Sequence, residues 1–246
     1  METNSPPVVL DNVTHQDMRV LTGHSAALGD ALNQVLIFPT EFADIQREYP
    51  IFFRRNEQGV FQAIALLGFD RDENLFLDDN GWNARYIPAV QDRGPFLIGF
   101  RDGEGEDGSA QRVPMILFDP EHPRVSKTDG EALFLPHGGN SPHLERYTQV
   151  LRTIHHGIGI NDAVFAAFAE AGILAPVKVE IQLDDRLEYN IPDLFSINSE
   201  TLRDLKGPAL AKLHAGGYLA LAFYVAGSIG NMQRLIDLKN QRRAKG

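Results

Sequence analysis

Residues 41–55 read EFADIQREYPIFFRR, residues 65–82 read ALLGFDRDENLFLDDNGW and residues 84–100 read ARYIPAVQDRGPFLIGF. Short bursts of aromatic and β-branched residues alternate there with Pro, Gly, Asn and Asp, the composition of brief strands broken by tight turns. Residues 51–55 and 61–69 flank Asn56-Glu57-Gln58-Gly59, a pattern that predicts a β-hairpin. Residues 75–77 predict a third strand, closed by Asp78-Asp79-Asn80-Gly81, and 96–101 with 113–118 predict two more around a Gly- and acid-rich loop. Just upstream, Pro39-Thr40-Glu41 opens a helix with Thr40 as N-cap, and that helix is expected to end at Tyr49, because the residue before Pro50 is pushed out of the α region.

Working outward, residues 141–171 place Leu144, Tyr147, Val150, Leu151, Ile154, Val164, Phe165 and Phe168 at helical spacing. Gly157 and Gly159 predict a break, with Asn161 capping a second helix and Gly172 ending it. Two strands, 177–183 and 187–191, turn at Asp184-Asp185; helices follow at 199–205, capped by Ser199, and at 210–215. The apolar run 219–225 suits a buried strand, and 229–241 an amphipathic closing helix. At the other end, 8–10 reads as a short strand, 26–34 as a short turn of helix or an irregular segment, and 36–39 as extended chain. The fold class is α+β: mainly antiparallel short strands with helices packed on one face. The expected division is an extended N-terminal lead-in, 1–35, and a single α+β domain, 36–246, with a sub-division near 140. A weak internal echo pairs Glu73-Asn74-Leu75-Phe76-Leu77 and Gly81 with Glu131-Ala132-Leu133-Phe134-Leu135 and Gly139.

Composition narrows the function classes. With 33 acidic against 23 basic side chains the 246-residue chain carries a formal charge of −10, a field that repels a phosphate backbone, so no nucleic-acid partner is expected. The basic group Lys239, Arg242, Arg243 and Lys245 reads as the solvated end of a helix. The absence of cysteine excludes disulfides, thiolate metal sites and a Cys nucleophile. The N-terminus lacks a basic region and an apolar core of signal-peptide length, and the run 218–229 is too short for a bilayer. No membrane span is expected, and the expected location is cytoplasmic. Short edge strands leave homo-oligomer formation open.

Chemistry-bearing patterns are few. Asp70, Asp72 and Asn74 begin like a calcium loop, but Leu75 and Gly81 stand where that loop requires Gly and Glu, so a turn is the better reading. His155 and His156 point about 100° apart on a helix and cannot readily share a metal. No P-loop, HEXXH, nucleophile elbow or dinucleotide fingerprint is present; no catalytic residue, metal ligand or cofactor is assigned. Tyr49, Trp82 and Tyr86 are the candidate ligand- or partner-binding residues, aromatic faces with polar handles near Pro and Gly turns. Arg85 stands among them as a carboxylate-recognising cation, with Arg54, Arg55 and Arg93 as further cations of that kind.

The order and spacing of several motifs resemble the bacterial SapC-like family. They are Glu41-Phe42, Tyr49-Pro50-Ile51-Phe52-Phe53, Leu66-Leu67-Gly68, Glu73 to Leu77, Trp82-Asn83-Ala84, Tyr86-Ile87-Pro88-Ala89 and Pro95-Phe96. The resemblance resumes at Asp129 to Phe134 and near Leu213-His214, Gly217 and Ser228-Ile229. The family takes its name from a gene of surface-layer loci; many members look like companions of TonB-dependent receptors and flavin-dependent halogenases. It brings no established catalytic residues. The absence of a catalytic signature beside the loop aromatics points to a non-catalytic binding or accessory protein that recognises a peptide or protein partner, and the resemblance links it to surface-layer or TonB-dependent uptake systems. The alternative is an enzyme or enzyme subunit acting on a small aromatic or peptide substrate alongside a halogenase.

Overall fold

The computed structural model describes residues 6–104, 110–184 and 187–245. Its strands are β1 (Val8–Val9), β2 (Arg19–Val20), β3 (Gln34–Ile37), β4 (Ile51–Arg55), β5 (Phe61–Leu66), β6 (Leu77–Asp78) and β7 (Gly81–Trp82), then β8 (Phe96–Glu104), β9 (Ala110–Phe118), β10 (Val125–Ser126), β11 (Glu131–Ala132), β12 (Leu174–Asp184) and β13 (Leu187–Ile197). The helices are α1 (Phe42–Ile45), α2 (Ala89–Asp92), α3 (Pro142–Glu170), α4 (Ser199–Asp204), α5 (Gly207–Ala215), α6 (Tyr218–Ser228) and α7 (Asn231–Lys245). The largest sheet has the order β12-β13-β4-β5-β3, and every pairing described for it is antiparallel. A second sheet, β1-β9-β8, and the small assemblies β10-β2-β11 and β6-β7 complete an α+β architecture.

The hairpin forms in the expected place, with Ile51 opposite Ala65 and Arg55 opposite Phe61. Alternation puts Ile51, Phe53 and Arg55 on one face, where Phe53 meets Phe165 and Phe168 of α3 at ring separations of 4.9 and 6.3 Å. Phe52, Ile64 and Leu66 on the opposite face are buried as well, so the central strands read as near-continuous apolar runs.

Helix α3 is the spine. Its 29 residues span about 43 Å at 1.5 Å per residue. Ser141 caps it by accepting from the Leu144 N–H, and Pro142 occupies its first turn. Leu144, Tyr147 and Leu151 enter a cluster with Val20, Phe96, Phe118, Leu133 and Phe134. Ile154 meets Phe38 and Ala89, while Val164, Phe165 and Phe168 belong to the main core. One helix thus crosses from the smaller sheet to the larger.

The break expected at Gly157 and Gly159 does not occur. Gly157 is buried inside the helix, and a Cβ there would lie 2.3 Å from Phe38 Cβ. The missing side chain lets the helix approach the 3₁₀ turn Pro39–Glu41, where Thr40 Oγ1 donates to the Thr153 carbonyl at 3.1 Å. Thr40 is therefore a crossing contact instead of an N-cap, and α1 ends at Ile45 with a turn carrying the chain on to Tyr49.

Residues 219–225 form helix α6, not a strand. A short apolar run does not distinguish the two by periodicity, and Ala220, Ala222 and Ala226 favour the helix. Gly217, at φ +73°, makes the left-handed turn that starts it. Asn198, not Ser199, caps α4 through its side-chain oxygen. The hairpin β12–β13 is longer than expected, and its turn at Asp185 lies outside the described residues, as does the loop 105–109. The lead-in is knitted into the body: β1 pairs with β9, and β2 pairs with both β10 and β11. The internal echo buries the same dipeptide twice, Leu75-Phe76 and Leu133-Phe134, ahead of positive-φ glycines at 81 and 139.

Candidate functional site

The structure brings Tyr49, Trp82, Tyr86 and Arg85 together, but in unequal positions. Tyr49 is fully buried and Trp82 is 9% exposed, whereas Tyr86 is half-buried and Arg85 is exposed. Tyr49 follows the turn after α1, and the other three lie on β7 and the loop beyond it. That loop has no ladder to satisfy its backbone, so side chains from the 41–49 segment do so. The Tyr49 hydroxyl donates to the Tyr86 carbonyl at 2.7 Å and accepts from Trp82 Nε1 at 2.8 Å. Glu48 Oε2 accepts from the Arg85 N–H at 2.7 Å, and Glu41 Oε1 accepts from the Ala89 N–H at 2.7 Å and the Tyr86 hydroxyl at 3.1 Å. The second Glu41 oxygen caps its own turn, accepting from the Phe38 N–H at 2.9 Å.

Burial dominates the protonation chemistry. It raises the Glu41 pKa above the ordinary carboxylate value, although the Ala89 and Phe38 amides and the Tyr86 hydroxyl pull the other way. Burial likewise raises the pKa of Tyr49 and of Tyr86, and the Glu41 charge adds to the rise at Tyr86. Both phenols therefore stay protonated at neutral pH and act as donors, not as bases.

In front of this buried chain lies an open, largely polar depression of about 610 Å³ lined by Trp82, Arg85, Arg47, Arg234 and Glu48, among others. Arg234 Nη1 pairs with Glu48 Oε1 at 3.1 Å, and its guanidinium stands 5.2 Å from the Phe76 ring centroid. Arg47 is exposed and pairs with Asp44 at 3.3 Å. Behind Trp82, His24 packs edge-on at 5.6 Å. His24 belongs to a buried hub in which Arg124 Nη2 donates to both oxygens of Asp30 at 2.9 and 2.8 Å. Burial opposes ionisation of Asp30, but hydrogen bonds from His24 and Gln91 and the Arg124 charge outweigh it and hold the pKa below the ordinary value.

The other sequence candidates fall elsewhere. Arg55 stacks on the Phe61 and Phe195 rings at 4.7 and 5.4 Å, Arg54 leaves a buried Nε without a partner, and Arg93 donates to the Phe96 carbonyl. Asp70 receives Lys239 and the Tyr189 hydroxyl, while the buried Asn74 donates to the Asp30 carbonyl at 3.0 Å. Among the described residues no group of three or more His, Asp or Glu stands together as a metal site. Glu41, Glu48, Arg47 and Arg234 escaped the sequence reading. The two glutamates are seven positions apart, a helical spacing visible in the sequence, but Arg234 lies 186 residues from its partner Glu48 and carries no local signal.

An arginine-bordered polar depression thus lies over a buried aromatic hydrogen-bond chain in an α+β domain. The sequence model of the SapC family matches residues 10–235, and the chain belongs to that family. No curated protein and no solved structure matches it significantly. No single described helix is long and apolar enough to cross a membrane; α5 and the α6–α7 segment, apolar together, meet at 96°.

Proposed function

We propose that this SapC-family protein is a non-catalytic binding or accessory protein that recognises a peptide or protein partner through the depression at Trp82 and Arg85. Tyr49 and Tyr86 act from behind, by fixing the loop that carries Arg85. The observation that carries the reading is the meeting of Arg47, Arg85 and Arg234 at one surface, with Glu48 the acid lining it. A fixed guanidinium group with an aromatic neighbour suits a carboxylate, through the bidentate geometry that Arg favours. The partner thus presents an acidic side chain or chain terminus. The family resemblance supports partners drawn from surface-layer or TonB-dependent uptake systems, and the compartment that goes with this reading is the cytoplasm.

The test is affinity capture from an extract of the native host with wild-type protein and with Arg47→Glu/Arg85→Glu. Both positions are exposed, so the thermal melt is expected to stay within about 1 kcal/mol of wild type. A partner retained by wild type and lost at least tenfold by the variant supports the reading. Equal capture by both proteins overturns it.

A further inference from the structure

We infer that Asn80 is a site of spontaneous covalent modification: its side-chain amide condenses with the Gly81 backbone nitrogen, and the isoaspartyl link that results loosens the β6–β7 hairpin that carries Trp82. This does not rest on the partner-binding reading, because it is read in mass and in tryptophan emission.

The chemistry needs a backbone nitrogen that no side chain shields, and an asparagine side chain free to turn onto it. Of the 13 asparagines in the chain, Asn80 alone precedes a glycine. Gly81 stands at φ +110°, a backbone conformation that side chains with a Cβ avoid, so the turn itself demands the glycine that leaves the nitrogen open. Asp79 and Asn80 form the turn between β6 and β7, where Asp78, Asp79 and Asn80 are all exposed. The Asn80 N–H donates to Asp78 Oδ1 at 2.8 Å, but its side-chain amide makes no hydrogen bond among the described residues.

Asparagines at other turns and caps are engaged. Asn56 Oδ1 accepts from the Gln58 and Val60 amides at 3.0 and 2.9 Å, and Asn198 Oδ1 accepts from the Glu200 and Thr201 amides, both at 3.0 Å. Asn140 Nδ2 donates to Glu145 Oε1 at 2.6 Å. A side chain held in this way does not turn onto the next amide. The Asn80 turn is also free to open, since the ladder below it consists of Leu77 opposite Trp82 and Asp78 opposite Gly81 and joins no other strand. So short an isolated pair is marginal by itself, and its tip opens without disturbing the core.

The reaction balances with water alone. Hydroxide takes the Gly81 N–H proton, the nitrogen attacks Asn80 Cγ, the N–Cγ bond forms and the Cγ–Nδ2 bond breaks. Nδ2 leaves as ammonia, with a proton from water that restores the hydroxide. The cyclic imide then adds one water at either carbonyl, which leaves an aspartyl or an isoaspartyl residue at position 80; nothing is oxidised or reduced. In the isoaspartyl product the main chain runs through Cβ and Cγ and is longer by one carbon. The surroundings leave little room for it. A Cβ built on Gly81 would lie 3.6 Å from the His24 carbonyl oxygen, and Trp82 stands edge-on to the His24 ring at 5.6 Å with its Nε1 bound to Tyr49. The Asn83 N–H is fixed to the Phe76 carbonyl at 2.7 Å, so the extra atom is taken up by the turn and by Trp82.

The full chain is incubated at neutral pH and physiological temperature, sampled over weeks, and mapped by peptide mass spectrometry with isoaspartyl-specific enzymatic methylation. Position 80 is expected to gain the mass difference between an amide and an acid at least threefold faster than any other asparagine, with methylation in the same peptide. Asn80→Gln, which would have to close a larger ring, is expected to stay unmodified there, with the circular dichroism spectrum and emission of fresh wild type. In aged wild type the Trp82 emission maximum is expected to shift with the time course of methylation, and in aged Asn80→Gln to stay in place. Conversion at position 80 no faster than at the other asparagines overturns the site. Full conversion with unchanged Trp82 emission overturns the loosening of the hairpin.

Discussion

Replacing Gly157 by Ala tests the packing that fixes the spine of the fold. The added Cβ would sit 2.3 Å from Phe38 Cβ, 2.9 Å from Phe38 Cγ and 2.8 Å from Thr40 Oγ1. Carbon atoms in contact rest about 3.5–4.0 Å apart, so relief requires a shift of more than about 1 Å. Phe38 is 7% exposed, and the closest atom is its Cβ, which moves only with the backbone. Overpacking of this kind costs about 1–3 kcal/mol, and setting a helix-propensity gain of about 1 kcal/mol for Gly→Ala against it leaves a net loss of up to about 2 kcal/mol. In a domain of this size 1 kcal/mol corresponds to about 2–4 °C, so the midpoint of thermal unfolding should fall by up to roughly 8 °C instead of rising. Gly159 is the internal control: it lies in the same helix, is exposed, and has nothing within 4 Å of a built Cβ. Gly159→Ala should therefore raise the midpoint by about 1–4 °C through helix propensity alone. Thermal melts followed by circular dichroism separate the two. If Gly157→Ala is as stable as Gly159→Ala, the close crossing of α3 over the Phe38 turn is refuted.

Two further outcomes concern the buried chain behind the depression. Tyr49→Phe removes the acceptor of Trp82 Nε1 and the donor to the Tyr86 carbonyl, and should cost about 1–3 kcal/mol in denaturant unfolding. Trp82 is the single tryptophan, so its emission maximum should shift as well; an unchanged midpoint with unchanged emission would sink the assignment. Glu41 has a folded pKa raised by burial, so its contribution to stability is complete below the unfolded glutamate value, about 4.3, and is lost as pH rises through the folded one. Glu41→Gln abolishes that titration, and the stability of wild type relative to the variant should fall as pH is raised from about 4 towards 7; a flat or rising difference contradicts the burial argument.

Where local chemistry decides structure, the chain is legible. The hairpin β4–β5 follows from alternation around Asn56 to Gly59, and its register is the one the turn imposes. The α+β class follows from short strands without regular βαβ alternation. Legibility fails where a residue serves a distant partner. Gly157 has the composition of a helix breaker, yet its role is set by Phe38, 119 positions away in sequence. Residues 219–225 are apolar enough for either state, and packing decides. At the candidate site, Trp82, Arg85 and Tyr86 are readable as loop residues with polar neighbours, but the burial of Tyr49 is not. That burial arises because the Tyr49 hydroxyl is consumed between the Trp82 indole and the Tyr86 carbonyl.

The segment 67–91 explains why so dense a set of motifs accompanies so little recognisable chemistry. Apart from the short pair β6–β7 and the opening of α2, it has no regular structure, and much of it is buried, so its backbone groups need side-chain partners. They come from three parts of the chain. Asp30 meets Asn74 and Gln91, while Glu41, Glu48 and Tyr49 hold residues 82–89. From α7, Lys239 binds Asp70 and Glu73, and Arg242 donates to the Asn74 and Leu77 carbonyls. Buried ion pairs such as Arg124–Asp30 add little net stability over apolar packing, but removing one partner is costly, so they fix which segments meet. Residue identity across this stretch is thus dictated by hydrogen-bond satisfaction. Arg85 differs from the buried members of the segment: its backbone is held by Glu48, while its side chain is exposed and has no polar partner among the described residues, as is also the case for the exposed Arg71, Asp72 and Asp79. Under the proposed reading, this uncommitted guanidinium, held on a loop beside Arg47 and Arg234, is the group that a partner would meet.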